Sequence, residues 1–233
     1  ELLRQSVDYR GWFDKVKILL KEIINSQYVA CMNPTAGSFN ITPRMQRHFV
    51  TFAVQMPSTE IVRTIYSAII SGHMSSLDSD MSKLAPKLLD ATIDLHRQVM
   101  NNFLPSAVKF HYQFNLRDLS NITQGITRMR REVFQKPLDA VRLWVHEVER
   151  VFQDRMVNDL DMQKFQDFRV AVTKKFFEEF DMEAVEARPN LFVGFLEYDQ
   201  DDNPLYKPCS SYDSLKTVLE DKLREYNETN PAM

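Results

Sequence analysis

A mixed α/β fold, mostly α, follows from two breaks in the hydrophobic pattern of this 233-residue sequence. Up to about Ser58 the apolar residues come in short β-branched and aromatic runs, and beyond it they recur every three or four positions, as on one face of a helix. Past Asp181 the helical spacing fails, and two apolar runs flank a polar turn. These breaks predict a strand-bearing segment over 1–57, a helical domain over 58–182 and a hairpin-plus-helix extension over 183–233.

In the first segment a short helix is expected to about Asp14, then strands within Lys17 to Ile24 and Tyr28 to Met32. The turn-rich Asn33-Pro34-Thr35-Ala36-Gly37-Ser38 follows. Thr42 as N-cap and Pro43 in the first turn announce a short helix. Phe49 to Val54 reads as a further buried strand, ended by Pro57.

Ser58 then caps a helix whose Ile61, Ile65, Ile69, Val62 and Tyr66 form one apolar stripe, with Gly72 where a C-cap belongs. Further helices are expected at about 79–103, 116–132, 137–155 and 159–180. Asn115 and Asp118 have the spacing of a reciprocal capping pair, and Pro137 stands in the first turn that tolerates it. Leu138, Val141, Val145, Val148 and Phe152 give the 137–155 helix a buried face. The hairpin runs from Leu191 to Glu197, turns at Asp199 to Asn203, and returns through Leu205 to Cys209. Leu215, Val218, Leu219, Leu223 and Tyr226 mark a last helix.

With 44% hydrophobic residues the chain has enough apolar side chains for a real core. Its 29 basic and 32 acidic side chains are mixed along the length, which argues against nucleic acid as the main partner. No apolar run approaches the ~20 residues that span a bilayer, so no membrane partner is expected. The opening Glu-Leu-Leu-Arg-Gln lacks the features of a signal peptide and an initiator Met, so the chain reads as an excerpt. Cys31 and Cys209 stand singly, without metal spacing, and point to a reducing compartment.

A phosphate cradle needs glycines, because backbone N–H groups must approach the ligand closely. The five here, Gly11, Gly37, Gly72, Gly125 and Gly194, form neither GxxxxGK[ST] nor GxGxxG. Leu191 to Leu196 before Glu197 imitates a Walker B strand, but such an acid has no purpose without a phosphate loop. His48, His73, His96, His111 and His146 are scattered and read as surface or satisfied core residues. Asp199, Asp201, Asp202 and Asn203 lack the spacing of a calcium loop and read as a solvated turn, so no metal site is expected.

Three stretches resemble a known family. Tyr28-Val29-Ala30-Cys31-Met32-Asn33-Pro34-Thr35-Ala36-Gly37-Ser38-Phe39, Pro43-Arg44-Met45-Gln46-Arg47-His48-Phe49 and Phe110-His111-Tyr112-Gln113-Phe114-Asn115-Leu116-Arg117-Asp118-Leu119-Ser120 are similar to the third AAA+ module of axonemal dynein heavy chains. The likeness continues through Lys136 to Glu147 and to Tyr226-Asn227-Glu228. It implies the C-terminal part of an AAA+ large α/β subdomain over 1–57, the helical small, or lid, subdomain over 58–182 and a connection toward the fourth module over 183–233. The Walker A and Walker B elements would lie before Glu1.

The resemblance also implies roles. Asn33 would be sensor 1, since a neutral amide can accept from an attacking water and donate to a γ-phosphate; otherwise it only starts the Asn-Pro turn. Arg47 would be an arginine finger acting on the neighbouring module's nucleotide, with Arg44, one helical turn earlier, as competitor. Arg117 would be sensor 2; its alternative is a surface arginine paired with Asp118 or Asp139. The parent would be an ATP-driven, minus-end-directed microtubule motor of the ciliary or flagellar axoneme, using ATP or ADP with Mg²⁺. Its partners would be neighbouring AAA+ modules, microtubules and other dynein chains. The chain alone is expected neither to bind ATP tightly nor to hydrolyse it. Two alternatives stand beside this: a non-enzymatic helical interaction module, and a fragment of another AAA+ ATPase.

Overall fold

The computed structural model describes residues 2–32 and 41–230, which divide into two compact units, Glu1–Met56 and Pro57–Met233. Asn33 and the turn that follows it lie outside the described residues.

The first unit opens with α1 (Leu2–Tyr9), followed by an antiparallel hairpin of β1 (Gly11–Phe13) and β2 (Leu20–Glu22). Its register pairs Gly11 with Glu22 and Phe13 with Leu20. Asp14 fixes the turn: its side chain accepts from the Val16 amide at 2.8 Å and pairs with Lys21 at 2.8 Å. A Cβ on Gly11 would stand 2.3 Å from the Lys21 carbonyl oxygen, so only glycine fits there. The short helix α2 (Pro43–Gln46) follows Thr42, which has the extended backbone of an N-cap but makes no side-chain capping bond.

The expected strands Tyr28–Met32 and Phe49–Val54 do not form. Strand propensity measures how well a side chain suits a pleated, half-buried surface. Among the described residues of this unit no partner strand provides that surface, and Phe52 and Val54 stay 81% and 93% exposed.

The second unit is helical. It comprises α3 (Thr59–Met74), α4 (Ser79–Asn102), α5 (Leu116–Ile126), α6 (Pro137–Phe152) with a 3-10 turn over Gln153–Arg155, α7 (Asp159–Phe176) and α8 (Met182–Glu186). After these come the antiparallel hairpin of β3 (Phe192–Tyr198) and β4 (Pro204–Pro208), then α9 (Tyr212–Thr229). Helix α4 lies against α3, α6 and α7, and α5 lies against α6.

The core at their meeting is built from Leu88, Leu95, Ile122, Trp144, Phe152 and Phe165, each fully buried. Trp144 is fixed there by its Nε1–H, which donates to Thr92 Oγ1 at 2.8 Å, and by its ring against Phe177, centroids 5.2 Å apart. A buried indole without a partner for that N–H would lose much of what its burial contributes.

Several expectations need correction. Helix α3 turns Val62, Ile70 and Met74 inward, while Ile61, Ile65 and Ile69 remain about half exposed. Its apolar arc is wider than its contact with α4, and only the inner edge is used. Gly72 lies inside this helix, which ends at Ser75. Helix α5 stops at Ile126, with Met129 and Phe134 buried from the turns beyond it. The sequence also concealed α8, a five-residue helix capped by Asp181, whose side chain accepts from the Glu183 amide at 3.1 Å.

The Walker B imitation is part of the β3–β4 hairpin, where Glu197 forms an ion pair with Lys207. Asp199 organises the turn: it accepts from the backbone of Asn203 and Asp201 and pairs with Arg130, contacts that hold its carboxyl down to about 2.

A buried polar group joins this hairpin to the helices. The Tyr206 hydroxyl donates to Glu147 Oε1 at 2.6 Å and lies 3.1 Å from His146 Nε2. Burial and the neighbouring Glu147 carboxylate push the Tyr206 phenol well above its ordinary range. Gly125 of α5 makes room for Glu147, since a Cβ there would stand 2.1 Å from the carboxylate.

Candidate functional site

The best-organised polar feature bearing on the expected roles is the first turn of α5. Asn115 is its N-cap: its side chain accepts from the Arg117 amide at 2.9 Å, and Asp118 returns the bond, accepting from the Asn115 amide at 2.8 Å. This is the reciprocal cap expected from the spacing, and it satisfies backbone donors a helix start otherwise leaves open.

Three other elements fasten the same turn. From α4, His96 Nε2 donates to the Asn115 carbonyl at 3.0 Å, and burial holds this imidazole below its ordinary value. From α3, the Tyr66 hydroxyl donates to the Leu116 carbonyl at 3.2 Å and lies 2.7 Å from Ser120 Oγ. From the 3-10 turn after α6, Arg155 Nη1 meets Asp118 Oδ1 at 2.7 Å, while its Nη2 reaches the carbonyls of Gln113 at 3.0 Å and His111 at 3.4 Å. The guanidinium also covers the Phe114 ring, 4.5 Å from its centroid.

Out of this fixed turn projects Arg117. It is exposed, and among the described residues its guanidinium has no hydrogen-bond, ion-pair or ring partner. The pairing with Asp118 or Asp139 allowed by the sequence is not made. Asp118 is committed to Arg155 and the Asn115 amide, and Asp139 accepts from the Lys136 amide at 3.3 Å. A cation in the first turn opposes the helix macrodipole by ~0.3–1 kcal/mol, a local cost that nothing described around the side chain offsets.

In the first unit, Arg44 and Arg47 take the second position and the C-cap of α2. Arg47 is engaged: Nη2 lies 3.0 Å from Asp8 Oδ1, and Nε donates to His48 Nε2 at 3.2 Å. Burial alone would raise the Asp8 carboxyl, but the Arg47 hydrogen bond and the charges of His48, Arg47 and Arg4 outweigh it and hold Asp8 low. Arg44 is exposed and has no such partner among the described residues.

The five histidines all serve structural bonds. His48 faces Asp8 at 2.8 Å; His73, His96 and His111 meet the backbone carbonyls of Met129, Asn115 and Arg155; His146 meets Tyr206. No cluster of three or more His, Cys, Asp or Glu able to hold a metal ion occurs among the described residues. The sequence carries neither GxxxxGK[ST] nor GxGxxG, and no chemical step is assigned to its residues. Sequence reasoning missed Arg155, His96 and Tyr66 as supports of the α5 turn, because bonds spanning 19 to 50 positions leave no local signature.

The helical layer with its capped α5 turn coincides with a match that makes it part of an AAA+ module. Residues 88–187 match the family described as the AAA+ lid domain, and residues 1–57 match the P-loop containing dynein motor region. Over its full length the chain is 66% identical to the dynein beta chain of the flagellar outer arm of Chlamydomonas reinhardtii. It is likewise 45% identical to the ciliary dynein beta chain of Heliocidaris crassispina and 46% identical to dynein axonemal heavy chain 17 of Mus musculus. In each case it spans 5% of the relative's length. The chain belongs to the axonemal dynein heavy chains.

Proposed function

We propose that this chain serves in the third AAA+ module of the motor ring of an axonemal dynein heavy chain, an ATP-driven, minus-end-directed microtubule motor of cilia or flagella. Residues 1–57 would complete the large α/β subdomain, 58–182 would form the lid, and 183–233 would lead toward the next module. The phosphate loop and the metal-binding acid would come from elsewhere in the heavy chain.

Arg117 acts as sensor 2, closing over the nucleotide of its own module, and Asn33 acts as sensor 1. Arg47 reaches the neighbouring module's nucleotide as an arginine finger, exchanging Asp8 for phosphate, with Arg44 as its competitor. The module would be mainly regulatory, its lid rotating with nucleotide state and passing the change around the ring. The observation that carries this reading is the exposed Arg117 guanidinium, without a partner among the described residues, on a turn fastened from three sides.

The test is made in the complete heavy chain. Arg117→Ala should empty or loosen the nucleotide site of its own module, since a charge-assisted contact to phosphate contributes roughly 1.5–3 kcal/mol. Arg47→Ala should spare that site and disturb the neighbouring one. Nucleotide occupancy read from structures of the two variants decides, and the opposite pattern means that the two roles are exchanged. For the 233-residue chain alone, calorimetry with millimolar ATP and Mg²⁺ is expected to be flat, and saturable heat would overturn this division of the site.

A further inference from the structure

We infer that Arg155 is a positioning residue for Arg117, setting the direction in which that side chain leaves α5. The inference rests on the reading of Arg117 as the contact to nucleotide.

Arg155 touches the acid that closes the cap and three residues of the chain leading into it. One guanidinium edge holds Asp118, the acid that closes the cap of α5, and the other holds the carbonyls of Gln113 and His111 in the turn that leads to it. Its flat face rests on Phe114, whose own ring is buried against Phe152 at the end of α6, centroids 5.8 Å apart. The 3-10 turn that carries Arg155 is returned the favour, since the Arg155 carbonyl accepts from His111 Nε2 at 3.1 Å.

One planar group therefore fixes the segment 111–118 against the end of α6. A lysine could keep the charge but not this fork of bonds. The geometry assigns Arg155 no contact with a ligand of its own. Its hydrogen bonds are committed to Asp118, which closes the cap, and to two carbonyls of the chain leading into it, and Arg117 departs two residues beyond the N-cap they hold. The consequence is that the end of α6 and the nucleotide contact on α5 move together, so that a shift of one displaces the other.

The experiment uses the full heavy chain with its other nucleotide sites disabled, and measures fluorescent ATP binding at the remaining site. Arg155→Gln is expected to weaken binding roughly tenfold, as loss of orientation does for groups otherwise intact. Asp118→Asn is the milder companion. It removes the charge that Arg155 meets, yet its amide oxygen can still accept from the Asn115 amide, so the cap survives if Arg155→Gln fails to fold.

Each is combined with Arg117→Ala. If Arg155 acts through Arg117, the double variants bind no more weakly than Arg117→Ala alone, because residues acting as one unit do not add. Additive losses, or unchanged affinity in folded Arg155→Gln and Asp118→Asn beside a weakened Arg117→Ala, overturn the inference and leave the sensor reading standing. Unchanged affinity in Arg117→Ala overturns the sensor reading itself and the inference with it.

Discussion

The two units of this chain spend similar hydrophobic sequences in opposite ways. In residues 2–32 and 41–56 only Ser6 and Gly11 are buried, and Val16, Val29, Phe52 and Val54 stand more than four-fifths exposed. In residues 57–230 the same kinds of side chain, set at helical spacing, close over a continuous core from Ile70 to Tyr206. Apolar content alone did not make a core; the period of the pattern did, because a helix can present its stripe to neighbours joined by short loops, whereas a strand needs a partner at ladder distance. The 24 residues of α4 bury ten side chains, and the 16 of α6 bury ten.

The contrast is broken or sharpened most directly by amide hydrogen exchange. Residues 57–182 should be protected by several orders of magnitude more than residues 1–56, whose backbone has few internal bonds. Equal protection would mean that the first unit has an interior not visible in its side-chain burial.

Next in size is Trp144→Ala, which should cost about 3–5 kcal/mol in urea unfolding followed by circular dichroism. Phe52→Ala should shift the same curve by less than ~0.5 kcal/mol, since its ring is largely in water. Gly125→Ala should cost ~1–3 kcal/mol by driving Glu147 away from Tyr206, and it should raise exchange in the β3–β4 hairpin before it affects α4. Asn115→Ala, which removes the cap of α5, should cost ~1 kcal/mol in the same unfolding measurement.

The smallest effect is one of acidity. Burial holds His96 and His146 below their ordinary value of 6.5, so the unfolded chain binds protons more readily in that range. Stability of the second unit should therefore be full above 6.5 and decline as pH falls below it. His146→Gln should flatten the slope between that value and the onset of carboxylate titration, and an unchanged slope would show that this imidazole is not held neutral.

How much of this was legible depended on how local the cause was. The cap of α5 could be read from Asn115 and Asp118 because both bonds span three residues or fewer. The hairpin over Asp199 to Asn203 was legible for the same reason. Helix α3 was legible as a helix but not in its facing, because Ile61, Ile65 and Ile69 continue the arc that Val62, Ile70 and Met74 begin, and only the position of α4 chooses between them. The strands expected at Tyr28–Met32 and Phe49–Val54 failed because their propensity was real but the described residues of the unit offer them no partner strand. In the candidate site, the family resemblance singled out Arg117 for the role proposed above, while the groups fastening its turn arrive from three distant segments.

Helix α6 buries Ala140, Val141 and every residue from Leu143 through Val148, so it has no side left facing water over nearly two turns. Its positions are consequently read in phase by four different neighbours at once: Trp144 by α4, Val148 by the core, Glu147 by the hairpin and, just past its end, Arg155 by the approach to α5. A single inserted residue would turn everything downstream by about 100° and put all of these bonds out of step together. Length variation in such a chain has to be absorbed in the polar turns, such as Asp199 to Asn203, and never in this one helix.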